Sequence, residues 1–117
     1  MKRIQTITLG ADQYTIRFNA RLIRELTAKM VATGAFKAED GEPEAICCHL
    51  AKEIVLQPKL KKDPPSAWKA LLHEIIHVVE LHQGEALPEP MVERLAQGLY
   101  SCLVQSGLFD PGGFTLG

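Results

Sequence analysis

Little in this sequence points to a charged ligand, a membrane or an extracellular setting. Its 117 residues carry a formal charge of only −1 at pH 7, too little long-range field to favour phosphate backbones or anionic lipid, so neither nucleic acid nor a membrane surface is expected as a partner. No apolar run approaches the roughly 20 residues needed to cross a bilayer. The opening stretch, Met1-Lys2-Arg3-Ile4-Gln5-Thr6, alternates apolar with polar residues, which is not the pattern of a secretory leader. Cysteine is scarce and odd in number. Cys47 and Cys48 are adjacent and Cys102 stands alone, so no disulfide framework is expected; the thiols read as small buried hydrophobes in a reducing, cytoplasmic protein. There is no internal repeat and no low-complexity linker, which leaves one domain over residues 1–117, with a fraying tail from about residue 108.

What is present is an ordinary globular balance, 46% apolar and 23% charged residues, which supports one buried core. Residues 4–9 and 14–18 alternate apolar and polar side chains about Gly10-Ala11-Asp12-Gln13, the pattern of a β-hairpin. From about residue 20 to 31, Leu22, Ile23, Leu26 and Met30 recur at three- and four-residue steps, and a helix follows. The acidic segment 38–44, with Gly41 and Pro43, reads as a solvated loop. Residues 45–50 and 53–57 are short apolar runs that end at Pro58, consistent with a second pair of strands. After a basic linker, Pro64-Pro65-Ser66 marks a helix start with Ser66 as the cap, and Gly84 closes that helix beyond His82. A last helix runs from about residue 89 to 106, with Pro90 in its first turn and Gly107 after its end. The fold class is therefore α+β, a small sheet packed against two C-terminal helices.

The chemistry concentrates in His73-Glu74-Ile75-Ile76-His77. Four helical residues advance about 6 Å and turn about 40° past a full circle, so His73 and His77 leave the same face one turn apart and can share a metal ion. Glu74 is rotated about 100° from His73, which puts its carboxylate beside the ion as general base and acid for a metal-bound water. A zinc site of this type needs a third protein ligand. Continuing the helix to a third histidine after a glycine would need Gly at position 80 and His at position 83, where this chain has Glu80 and Gln83. The remaining donors are acids at the start of the next helix, with Glu93 preferred and Glu89 as the alternative. Glu80 shares the His77 face at a three-residue step and could orient that imidazole, whereas His49 and His82 have weaker claims.

Taken with Trp68-Lys69-Ala70-Leu71-Leu72 before it and Glu93-Arg94-Leu95-Ala96-Gln97-Gly98-Leu99 after it, the motif resembles the small gluzincin-like HExxH proteins of phages and prophages, relatives of the ImmA/IrrE-like metallopeptidases. The resemblance covers about residues 53–103. It implies a minimal zincin-like domain holding Zn2+ on His73, His77 and a glutamate. It also implies peptide-bond hydrolysis in a bacterial host cell, with the peptide or protein substrate paired to an edge strand at 53–57. Tyr100 and His82 are the candidates for stabilising an oxyanion. An alternative function is a non-catalytic, metal-stabilised structural or protein-interaction module.

Overall fold

The computed structural model describes residues 2–117. The alternating N-terminal stretch forms two strands. β1 (Lys2–Ile4) and β2 (Thr6–Leu9) part at Gln5 and enter different sheets. β2 turns at Gly10, whose φ of +61° suits glycine, into β3 (Asp12–Phe18). Helix α1 (Ala20–Ala32) follows, its first turn capped by the Asn19 side chain, which accepts from the Leu22 N–H at 3.0 Å. Segment 38–44 stays on the surface, with a single 3-10 turn at Ala38–Asp40. Two strands come next, β4 (Ala45–Cys48) and β5 (Glu53–Leu56). The basic linker is a 3-10 turn at Pro58–Lys62, pinned by buried Leu60.

Four strands make one mixed sheet in the order β2-β3-β5-β4, with β3 and β5 parallel and the other pairs antiparallel. Both faces of this sheet are covered. On one, Ile46 and Val55 pack with Ile23 and the α1 stripe of Leu22, Leu26 and Met30. On the other, Tyr14, Ile16, Ala45, Ile54 and Leu56 meet Leu60, Ala67, Leu71 and Val78. Each fully buried aliphatic side chain there contributes about 1.5–3 kcal/mol.

The long helix α2 (Pro64–Gln83) lies on that second face and ends at Gly84, which takes the left-handed conformation at φ +67°. Its cap differs from the sequence expectation. Asp63, not Ser66, is the capping residue: its carboxylate accepts from the Ser66 N–H at 3.3 Å and the Ser66 hydroxyl at 2.6 Å. With Pro64 and Pro65 lacking N–H groups, the first amide available to a cap is that of Ser66, so Ser66 must donate. These bonds, the hydroxyl first, hold the Asp63 carboxyl below its ordinary range. Its contribution is therefore present above the ordinary value and lost as pH falls through the lowered one. Asp63→Ala is expected to lower the melting temperature by about 4 °C at pH 7, and less in acid, by circular dichroism.

Helix α3 (Glu89–Gln105) packs on α2 through Val92, Ala96 and Tyr100. The tail does not fray as expected. β6 (Phe114–Leu116) pairs in parallel with β1, Lys2 opposite Phe114 and Ile4 opposite Leu116. Phe109 and Phe114 close a triangle of edge-on rings with Trp68, at 4.5 and 5.9 Å between centroids. That aromatic burial outweighs the cost of ordering a glycine-rich end. A second expectation also needs correcting. Strand 53–57 cannot be a substrate-binding edge, because β5 is flanked by β3 and β4 and spends its backbone groups on both. The open edge beside α2 belongs to β4.

Candidate metal centre

Which side chains reach the cleft follows from the helical phase of α2. Ala67, Leu71, Glu74 and Val78 are its buried positions, three and four residues apart, and form the stripe against the sheet. Glu74 thus occupies a place where an apolar residue would ordinarily pack, with only 6% of its surface exposed. His73 and His77 lie on the neighbouring stripe, which faces α3. Their rings are 5.0 Å apart between centroids. One ligand atom from each of His73, Glu74 and His77 falls within 4.8 Å of the others, a group that could hold a metal ion.

Carboxylates surround the two imidazoles. Glu93 Oε2 is 2.8 Å from His73 Nδ1, and Glu80 Oε1 is 2.7 Å from His77 Nδ1. Glu89 stands opposite the other edge of both rings, Oε1 at 2.5 Å from His73 Nε2 and Oε2 at 3.4 Å from His77 Nε2. So both acids named from sequence reach His73, on different nitrogens, and Glu89 alone spans the pair. A carboxylate can only accept, so Glu93 and Glu80 each demand a proton on Nδ1. A neutral imidazole then has its lone pair on Nε2, directed at a Glu89 oxygen. Two lone pairs against an anionic carboxylate repel. That repulsion is relieved either by a second ring proton, which makes the 2.5 Å contact of His73 Nε2 with Glu89 a hydrogen bond, or by a cation that both groups bind. Imidazole nitrogens beside carboxylate oxygens are donors of the kind that bind a divalent ion.

Burial is the main force on Glu74, lifting its carboxyl from an ordinary 4.5 to about 7; His77 pulls it down, Glu89 pushes it up and the Cys47 backbone N–H lowers it. That amide is available because of the β4–β5 register. The Gln57 N–H donates to the Glu44 carbonyl at 2.9 Å, and hydrogen-bonded pairs alternate along an antiparallel ladder. Ala45 and Cys47, opposite Leu56 and Ile54, consequently turn their backbone groups away from β5, toward the cleft. The Cys47 thiol, on the α2 side, is pushed up to about 12 by burial first and then by Glu74 and Cys48.

Cys47, His73, Glu74, His77, Glu89 and Glu93 line one cavity of about 900 Å³ that continues past Met30, Phe36 and Pro43. His49 lines it too, a residue that sequence reasoning ranked low. Its Nδ1 lies 2.9 Å from the hydroxyl of fully buried Tyr14 and 3.6 Å from Cys47 Sγ. Burial, followed by His77 and Lys52, lowers its pKa, with Glu80 opposing. The only signal in the sequence is its place near the end of the apolar run 45–50, beside the break between two expected strands. Neither oxyanion candidate named from the sequence lines this cavity. His82 Nε2 is paired with Asp12 at 2.8 Å, and Tyr100 is buried beneath Lys69 on the α2–α3 interface.

No protein-family model, curated protein or solved structure matches this chain. Cys47, Cys48 and Cys102 are free thiols. Among the described residues no helix is long and apolar enough to cross a membrane.

Proposed function

We propose that the chain is a zinc-dependent peptidase, with His73, His77 and Glu89 as ligands and Glu74 as general base and acid. One observation carries this reading: the Nε2 atoms of two neighbouring imidazoles converge on a single carboxylate, while Glu93 and Glu80 occupy the Nδ1 atoms behind them. The choice of Glu89 over Glu93 follows from that division of nitrogens. Zinc bound there would supply an acidified water and a Lewis acid for a carbonyl oxygen.

The chain's own groups account for the remaining chemistry. An extended peptide can add to the β4 edge through the outward backbone groups of Ala45 and the Cys47 carbonyl. That pairing lays its scissile carbonyl along the cleft, above Glu74. Glu74 takes the proton of the attacking water and passes it to the amide nitrogen as the C–N bond breaks. His49, with Tyr14 fixing one side of its ring, is the donor at hand for the carbonyl oxygen as it gains charge. The reading is tested by elemental analysis of the purified protein and by its cleavage of quenched fluorescent peptides. His49→Ala is expected to lower kcat about 100-fold with zinc content unchanged; unchanged turnover would remove His49 from the mechanism.

A second reading, a zinc-stabilised interaction module, is favoured by one observation. Met91, Leu95 and Leu99 form a half-exposed apolar stripe, at four-residue steps, on the outer face of α3. Such a module would hold zinc and cleave none of the peptides.

A further inference from the structure

Glu80 has a position that ligand-orienting acids do not need. Only 12% of its side chain is exposed, and its two oxygens are both in use. Oε1 meets His77 Nδ1 at 2.7 Å, and Oε2 accepts from the Leu87 N–H at 2.7 Å. Its backbone carbonyl also accepts from the Glu85 N–H at 3.0 Å. Residues 84–88 form the connection between α2 and α3 and lead directly to Glu89. One side chain thus touches both the imidazole of one ligand and the segment that sets the start of the helix bearing another.

We infer that Glu80 is a positioning residue that selects the metal-binding tautomer of His77 while it anchors the α2–α3 connection. The inference rests on the metal-site reading above and goes beyond it by fixing a proton. Leu87 presents a backbone N–H, a donor that cannot be exchanged for an acceptor. With both carboxylate oxygens acting as acceptors, Leu87 takes one, and the other is satisfied only by an N–H at His77 Nδ1. The proton is thereby kept on Nδ1 and the lone pair on Nε2, the nitrogen that faces Glu89.

The logic makes a glutamine worse than no side chain. In Glu80→Gln the amide has one acceptor and one donor end. The Leu87 N–H claims the carbonyl oxygen, because the opposite orientation sets two donors against each other. The amide NH2 then faces His77 Nδ1, which must accept, and the ring proton moves to Nε2, where it blocks the metal. In Glu80→Ala the anchor is lost, but the imidazole is free to choose either tautomer.

The experiment measures zinc dissociation constants of the full chain by competition with a chromophoric chelator. The order expected is wild type tightest, Glu80→Ala about 10-fold weaker and Glu80→Gln about 100-fold weaker, within the range for groups that orient a ligand. A purely structural role gives the reverse order of the two variants, since Gln preserves shape and one hydrogen bond. A second readout uses metal-free protein. The 15N shifts of His77 should report Nδ1–H in wild type and Nε2–H in Glu80→Gln. Glu80→Gln binding zinc as tightly as Glu80→Ala, or an unchanged tautomer, overturns the inference with the metal site intact. Wild type that binds no zinc overturns the metal-site reading itself, and this inference with it.

Discussion

Replacing Glu74 with Gln is expected to abolish peptide hydrolysis while zinc stays bound, and in the metal-free protein it should raise stability at pH 8. The first half follows from chemistry: an amide of the same shape cannot accept and return a proton. The second follows from burial. The Glu74 carboxyl sits in the sheet-facing stripe of α2 and is lifted from an ordinary 4.5 to about 7. Below pH 4.5 it is neutral in folded and unfolded chains alike and costs nothing by ionisation. As pH rises toward 7 the unfolded chain releases the proton and the folded one retains it, so stability falls. Above pH 7 the loss is complete, about 3 kcal/mol at roughly 1.4 kcal/mol per pH unit. Gln carries no such penalty. Urea unfolding in chelator should show the two proteins close together at pH 4 and about 3 kcal/mol apart at pH 8. Equal stability at pH 8 would mean that water reaches this carboxylate freely; turnover surviving in Glu74→Gln would remove it as the base.

The second large effect concerns the ion. His73→Ala, His77→Ala and Glu89→Ala should each leave the purified protein without zinc. Glu93→Ala should retain it with affinity about 10- to 100-fold lower, because that carboxylate meets Nδ1 and not Nε2 of His73. At free zinc about 1,000-fold above the dissociation constant, metal contributes about 4 kcal/mol. Chelation should accordingly lower the wild-type melting temperature by roughly 15 °C. Zinc lost from Glu93→Ala but kept by Glu89→Ala would reverse the assignment of the third ligand. A melting temperature indifferent to chelator in every variant would dispose of the metal site altogether.

How much of this was legible in the sequence depended on the range of the interactions involved. The hairpin about Gly10, the α1 stripe, the Gly84 stop and the shared face of His73 and His77 are local, set by periods of two and 3.6 residues, and the chain folds that way. Expectations failed where a partner lies far along the chain. Nothing near residues 53–57 reveals that β3 takes one side of that strand and β4 the other. The short run Phe114–Leu116 is too brief to read as a strand without β1 and Trp68 to pack on. Asp63 was hidden by two prolines that shift the first free amide to Ser66. At the site, the motif located the helix on which His73, Glu74 and His77 come together, but how Glu80, Glu89 and Glu93 are distributed around the two rings rests on which nitrogen each meets. That is a matter of ångströms, not of spacing. His49 comes into the cleft through the β4–β5 turn, a tertiary event with no periodic signature.

The pairing of β1 with β6 has a mechanical side. The two strands run parallel and in register from Lys2 opposite Phe114 to Ile4 opposite Leu116, and Gly117 N–H closes onto the Ile4 carbonyl at 2.9 Å. A pull on the two ends of the chain draws β1 backward and β6 forward, so their cross-links are strained together in shear and cannot be peeled apart one after another. The two strands thus form a clasp that resists stretching, with Phe114 of β6 seated against Trp68.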